Sequence, residues 1–490
     1  MRLMIGRLTA FLLVTAFVCS PVWATCGGGG GGGGGGTSGS GGNGGGSTSN
    51  PVVYHVPWKM LKDSDKSVAE GLVLYWFPAS KDELQKSSLR ESRDLSLYAA
   101  QCISMQLADV RTPHASELVG DSKLPVAVLA NADGTSVGKL ENTGGKLKVT
   151  DVEKLVGNEV KSRGTALDND LKDAKAKAQT DKDGAIKLYK NVLAQKCMFP
   201  KKAKTAQAEL KKLGEENVGI ILAAPNFDPK VTASITSVMK RGLVAENKAQ
   251  YFLADKLYTQ ARKMDPADPT PLRYLGELHR HHIGDWEKAK AEFHEILDMP
   301  ADPLSRAVAL HGLGKITIHE GEFKKGLGLM EESVETYPLA LAYRNIAVYW
   351  NSEGDLAKGS EYTQKAFDLD PNDPYNHVFA AVFMAASGKK DEALKIALKN
   401  VNLLPASYNL AAIFAQTGQR DKALAYLKRH FYTYERFHAV REKEMMEARV
   451  DAVFDSLRSD QAFLDLTKFA DGRLPMPMSP RQADGMKMQH

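Results

Sequence analysis

A three-part spacing recurs along the second half of the chain. A small residue is followed twelve positions on by another, and after twelve more by proline: Gly242, Ala254 and Pro266; Gly314, Gly326 and Pro338; Ala347, Gly359 and Pro371; Ala381, Ala393 and Pro405. A fifth set, Gly276, Ala289 and Pro300, carries one extra residue in its turn, Ile283-Gly284-Asp285-Trp286. A sixth, Ala411 and Ala423, reaches Glu435 where the others have proline. From set to set the first member advances 34, 38, 33, 34 and 30 residues. Residues without bulk let two antiparallel helices approach closely, and the aromatics three or four positions away, Tyr258, Phe293 and Tyr362, fill the room that remains. Proline just past the second helix stops it, because it has no amide hydrogen and crowds the preceding turn. A fixed period of this kind predicts stacked helical hairpins rather than an ordinary bundle with scattered alanines.

The clearest stretch is Leu341 to Pro405. There Gly354-Asp355-Leu356-Ala357-Lys358-Gly359 leads into Glu361-Tyr362-Thr363-Gln364-Lys365-Ala366-Phe367-Asp368-Leu369-Asp370-Pro371, and Gly388-Lys389-Lys390-Asp391-Glu392-Ala393-Leu394 repeats the plan. This resembles the tetratricopeptide repeat (TPR), a helix-turn-helix of about 34 residues that stacks into a solenoid because one unit cannot bury its apolar faces alone. The resemblance implies an all-α right-handed superhelix whose ligands lie along a concave surface lined by first-helix side chains. Carried over by spacing, it nominates Arg273, Glu277, Arg280 and His281, then His311, Lys315 and His319, then Arg344 and Asn351. The set is basic and histidine-rich, so the implied partner is a protein or peptide, acidic or carboxylate-ended. The bland alternative makes these solvated helix residues. If the histidines take part, binding tightens as pH falls through about 6.5. The lysine and asparagine pair that clamps chaperone tails in some relatives is not reproduced.

The remaining segments differ in rhythm. Residues 1–24 read as a secretory signal, with Arg2 and Arg7 before an apolar run and Val22-Trp23-Ala24 as cleavage site. This predicts an exported protein of the periplasm or cell envelope. Residues 25–50 form a glycine-rich linker, flexible for want of side chains to bury. Membrane association is expected only if Cys26 is lipidated, and Trp23-Ala24-Thr25-Cys26 departs from the bacterial lipobox.

Residues 51–160 combine a buried-strand run, Gly71 to Phe77, a helical stretch from Lys81 to Gln101, a strand from Cys102 to Val110, and a hairpin around Ala132-Asp133-Gly134. A closing helix begins near Thr150. That order resembles the thioredoxin fold, and Leu124-Pro125-Val126 looks like its cis-proline segment. Where thioredoxins place Cys-x-x-Cys, the chain has Pro78-Ala79-Ser80-Lys81-Asp82-Glu83, so dithiol exchange is not available. The fold class is therefore multidomain: an α/β thioredoxin-like sandwich, redox-inactive, followed by the solenoid. Residues 161–230 read as a helical connector with a degenerate repeat, 231–437 as six repeats, 438–470 as C-terminal capping helices and 471–490 as a disordered tail.

Chemistry is sparse. No phosphate loop, paired-cysteine zinc site, metalloprotease helix or Ser/His/Asp order is present, which leaves an enzyme reading without catalytic residues. A net charge of +5 over 490 residues does not argue for nucleic acid. His279, His281 and His282 form the densest histidine cluster, but no carboxylate or cysteine follows at a diagnostic spacing, so no metal or cofactor is assigned. The primary reading is a non-catalytic partner-binding scaffold. Two others stay open: a thiol- or peroxide-directed enzyme using Cys102, here read as a core cysteine, and an envelope copper or zinc carrier using the histidines and the tail residues Met476, Met478, Met486, Met488 and His490. The pairing of Cys102 with Cys197 and the oligomeric state are not decided by sequence.

Overall fold

The computed structural model describes residues 51–61, 71–111, 113–215, 223–435 and 438–468. The expected signal segment, the glycine tract with Cys26 and the methionine-bearing tail lie outside the described residues.

The N-terminal region is built on a five-stranded mixed sheet: β1 Lys59–Met60, β2 Leu72–Phe77, β3 Ile103–Leu107, β4 Val126–Asn131 and β5 Ser136–Glu141, in the order β1-β3-β2-β4-β5. The apolar run Leu72 to Phe77 becomes the central strand, parallel to β3 (Leu72 opposite Ile103) and antiparallel to β4 (Trp76 opposite Ala127). With a side-chain period of two, Leu72, Leu74 and Trp76 face one core and Val73, Tyr75 and Phe77 the other, so every residue of β2 is buried. The Leu124–Pro125 peptide is cis.

The predicted helix from Lys81 to Gln101 is two helices, α1 Lys81–Lys86 and α2 Arg93–Ala100. Ser87 and Ser92 break it, because their side chains accept from the amides of Leu89 and Leu95 and so cap new helical starts. A short helix, α3 Pro113–Val119, precedes β4.

Helix α4, Val149–Lys177, is 29 residues long and carries the core out of the sheet. Val152 and Val156 pack against the strands, while Leu167 and Ala174 meet α5 Lys182–Ala194 and α6 Pro200–Lys212, in one continuous cluster with Tyr189, Val192 and Leu210. Cys102 and Cys197 form a disulfide between the start of β3 and the turn joining α5 to α6, with Cα atoms 6.0 Å apart. The expectation of a buried core thiol at Cys102 is thus corrected. It is an exposed half-cystine at a positive φ of 59°, so the thiolate chemistry suggested for it has no free thiol to use.

From Pro229 the chain forms six helical hairpins. They are α7 Pro229–Asn247 with α8 Tyr251–Met264; α9 Pro269–Glu277 with α10 Trp286–Asp298; α11 Pro303–His319 with α12 Phe323–Thr336; α13 Ala340–Ser352 with α14 Leu356–Leu369; α15 Pro374–Ala386 with α16 Lys390–Lys399; and α17 Ser407–Gln416 with α18 Arg420–Arg429. Several first helices open on Asp-Pro, the aspartate capping and proline occupying the first turn: Asp228, Asp268, Asp302 and Asp373.

Close approach explains the small residues. A Cβ on Gly242 would sit 2.4 Å from the Tyr258 ring, and one on Gly276 2.4 Å from the Phe293 ring. Gly314 and Gly326 face each other so closely that a Cβ on Gly326 would lie 2.6 Å from the carbonyl oxygen of Gly314. At α18 the array ends, and Val453, Phe454, Leu457 and Phe463, the last on α20 Gln461–Leu466, join the core of the final hairpins.

The sheet region and the array are locked by one buried guanidinium. Arg93 of α2, 1% exposed at its side chain, pairs with Asp265 at 2.5 Å and Asp268 at 2.9 Å. It also donates to the carbonyl of Asn226 and the hydroxyl of Thr232. Asp268 additionally accepts from the Tyr54 hydroxyl at 2.8 Å and caps α9 through the amide of Thr270.

Three substitutions test this packing. Gly326→Ala should lower stability by roughly 1–3 kcal/mol through overpacking. Gly328→Ala, two positions on with nothing within 4 Å of its Cβ, should raise it by about 0.5–1 kcal/mol, both read from urea midpoints. Arg93→Ala, leaving two buried carboxylates unpaired, should cost about 3–5 kcal/mol by the same measurement.

Candidate functional site

The face of the array formed by the first helices collects the polar groups nominated from sequence, but it is not an open surface. Arg273 is 1% exposed, its Nη1 3.4 Å from the Ser305 hydroxyl and its guanidinium 5.6 Å from the Tyr274 ring centre. His311 is 1% exposed and 2.7 Å from the side-chain nitrogen of Asn345. Arg344 donates to Asn376 at 2.6 Å and lies over the Tyr375 ring. Glu277 and Arg280 pair with each other at 2.7 Å. Asn351 must be removed from the set. Its amide donates to the carbonyl of Ala347 and its side chain packs where a Cβ on Gly359 would fall, which places it between α13 and α14.

The chain itself covers this face, from both ends. Near the N-terminus Val53 and Tyr54 pack with α7, α8 and Tyr274, whose hydroxyl donates to the Val53 carbonyl, and the Tyr337 hydroxyl donates to the carbonyl of Trp58. Near the C-terminus α18 runs into a π-helical turn, His430–Tyr434, and helix α19, His438–Val450, turns back towards the second hairpin. There α9 also ends in a π-helical turn, Leu278–Ile283, which carries the histidine cluster. Glu444 of α19 contacts His430 at 2.5 Å and Glu447 contacts His319 at 3.3 Å, while the charge of Lys315 acts on Glu444. The glutamates of α19 thus stand where a carboxylate-bearing ligand was expected.

The histidines are not the exposed helix-end residues the sequence suggested. His279 is buried between Glu292 at 2.8 Å and Asp255 at 3.3 Å. His282 is buried and stacks on Tyr251, ring centres 4.5 Å apart. Of the nine residues nominated from sequence, His281, Arg280, Lys315, His319 and Glu277 are partly exposed and the other four are buried.

Burial sets the protonation of several of these groups. It pushes His281 and His311 well below the usual histidine range, helped by neighbouring cations, and brings His282 and His430 down to about 4. It lifts Glu435 and Glu444 to about 8. Near neutral pH the interior therefore holds neutral histidines beside protonated carboxyls. The expectation that the nominated histidines gain charge at about 6.5 is corrected for His281 and His311, because desolvation outweighs any gain from becoming charged.

Sequence reasoning missed Tyr54, Arg93, Glu435, Glu444 and Glu447. The one local signal was Glu435, standing where the other repeats have proline. The rest lie far in sequence from what they touch.

No family model matches the chain. It is similar to the protein CTR9 homolog of Arabidopsis thaliana, 22% identical over 243 residues, covering 40% of this chain and 22% of that protein. It is also similar to the photosystem I assembly protein Ycf3 of Rippkaea orientalis, 27% identical over 123 residues, covering 22% of this chain and 69% of that one. The chain thus spans about a fifth of the length of the first relative. Among solved structures it is similar to PilF of Pseudomonas aeruginosa, with 17% identity and a TM-score of 0.29 over 44% of this chain and 98% of that one. A thermophilic TPR protein of Thermus thermophilus matches at 18% identity and a TM-score of 0.32 over 38% and 99%. Five of the six hairpins turn at a positive-φ glycine and the first at Ala249, and small residues lie at the helix contacts, as the tetratricopeptide resemblance implied.

His311 gives the pH dependence. Its folded pKa lies below the unfolded value, so its contribution is complete above about pH 6.5 and is lost as pH falls from there towards the lowered value. Over that window the wild type should lose up to about 1.4 kcal/mol per pH unit more than His311→Gln, read from denaturant midpoints at several pH values.

Proposed function

We propose that this chain is an exported, non-catalytic scaffold of the cell envelope that binds protein partners through the first-helix face of its tetratricopeptide-type array. The observation that carries the reading is the docking of α19, which sets Glu444 and Glu447, three residues apart on one helix, against His430, Lys315 and His319. A face that takes a helix of this chain in cis suits a partner helix with the same pair of carboxylates beside apolar residues, as Met445, Met446 and Ala448 are beside them here. Export is supported by the apolar N-terminal run in the sequence and by the Cys102–Cys197 disulfide, a bond of oxidising compartments. In this reading the sheet region is a thioredoxin-like module, for which the strand order β1-β3-β2-β4-β5 speaks, kept as a rigid support without its paired cysteines.

The test uses a fluorescent peptide with the sequence of residues 438–450 and the full chain. Wild type should bind it weakly, since its own α19 competes. Glu444→Ala/Glu447→Ala should bind it at least about tenfold more tightly, and adding Lys315→Ala should reverse the gain. Absence of binding by the loosened variant, or indifference to Lys315→Ala, would remove the face as a partner site.

A further inference from the structure

The two π-helical turns meet, and what they bring together is a set of metal-ligating groups. A ring nitrogen of His281, one of His282 and a carboxylate oxygen of Glu435 lie within 4.8 Å of one another. The two histidines are adjacent in the turn that ends α9, and their Nδ1 atoms stand 3.4 Å apart. Glu435 comes from 153 positions further on, immediately after the turn that ends α18. π-Helical turns are uncommon and concentrate where side chains must be re-aimed. Here the wider turn is what lets two successive histidines direct nitrogen towards one point.

We propose that His281, His282 and Glu435 form a binding site for a divalent first-row transition ion of the zinc class. Two observations beyond proximity carry this. Glu435 is 1% exposed and its Oε1 has no hydrogen-bond partner among the described residues, an arrangement that costs free energy unless a cation or proton completes it. The outer groups are also those that such a site needs. His282, with Nδ1 towards His281, turns Nε2 towards the carboxylate of Glu246 at 3.9 Å, and Glu246 is itself held by the Tyr258 hydroxyl at 2.6 Å. At 3.9 Å this is an approach rather than a hydrogen bond; closing onto Nε2 as the ion binds, the carboxylate would fix ring orientation and raise ligand basicity. The stack of His282 on Tyr251, 4.5 Å apart and 11° from parallel, holds the ring further.

The donor set selects the ion. Two imidazoles and one carboxylate suit zinc, iron, cobalt or nickel, whereas magnesium and calcium prefer oxygen throughout. Metal–ligand bonds of about 2.0–2.1 Å put ligand atoms about 3.3 Å apart in a tetrahedron, so the histidine pair already has the spacing and Glu435 has roughly 1–1.5 Å to move. Three protein ligands leave a position for water. Of the neighbouring cations, Arg280 is paired with Glu277, which limits its opposition to a bound ion, while Lys315 acts on His281 and Arg441 on Glu435. Bound metal would staple the second hairpin to the segment leading into α19, independently of whether that face also binds a partner.

The experiment is isothermal titration of zinc chloride into chelator-stripped full chain, with thermal unfolding and the visible spectrum of the cobalt-loaded protein as second readouts. The expected result is one ion per chain and a raised Tm. Glu435→Gln, which keeps the shape, should weaken binding by at least roughly a hundredfold, and Glu246→Gln, acting through His282, by about tenfold. Circular dichroism on each variant checks folding. His438→Ala addresses a competing surface pair, His438 and Glu442 at 3.4 Å, and should leave binding unchanged. Failure of wild type to bind, unchanged affinity in the folded Glu435→Gln protein, or loss on His438→Ala would each overturn the assignment.

Discussion

A helical hairpin whose helices touch at glycine and alanine has little apolar surface left for anything but its neighbours, and the rest of this structure follows from that. Gly314 and Gly326 bring α11 and α12 so near that backbone meets backbone, and Phe293 fills the space beside both Gly276 and Gly312. One face of every first helix is consumed by its own partner and another by the next hairpin. The third face, which a solenoid leaves to solvent or to a ligand, here carries arginines, histidines and tyrosines. Such groups are stable in a dry interior only when neutral or paired. Segments on either side of the array, residues 53–58 and α19, cover them and supply hydrogen-bond partners.

The N-terminal cover depends on charge. Arg93 offers a planar fork with several donors, and Asp265, Asp268, Asn226 and Thr232 accept from it, so its burial leaves few polar atoms unmatched. The geometry is specific as well as strong. Asp268 is at once the cap of α9, the partner of Arg93 and the acceptor for Tyr54, so the start of the second hairpin, the sheet region and the segment before β1 are fixed by one carboxylate. A lysine in place of Arg93 could reach one of these acceptors but not all of them.

What the sequence made legible was whatever repeats or has a local cause. The twelve-residue spacing located the helix contacts because sterics act pairwise and recur, and the run Leu72 to Phe77 announced a doubly buried strand. The break at Ser87 to Ser92 was not legible, since serine caps compete with helix continuation by an amount too small to outweigh the pattern around it. The candidate site was half visible. His281, Lys315 and His319 were found because first-helix positions recur. What they touch was not, because α19 reaches them from more than a hundred residues away and nothing in a periodic reading encodes where a non-repeating helix docks. Asn351 failed for the opposite reason, as its i+4 spacing from Ala347 turns it towards α14.

The two ends of the array differ in chemistry in a way that bears on function. Around Arg93 the charges are opposite and close, so the contact persists across the range in which carboxylates are ionised. Around α19 burial holds His430 low and Glu444 high, so these two meet without a permanent ion pair, and Glu447 stands 3.3 Å from His319. With His430 neutral, departure of α19 leaves less desolvated charge on the array than separating Asp265 and Asp268 from Arg93 would, Lys315 being the cation that stays behind. In the proposed partner-binding reading, the N-terminal region held by Arg93 is the fixed cover of this face and α19 the exchangeable one.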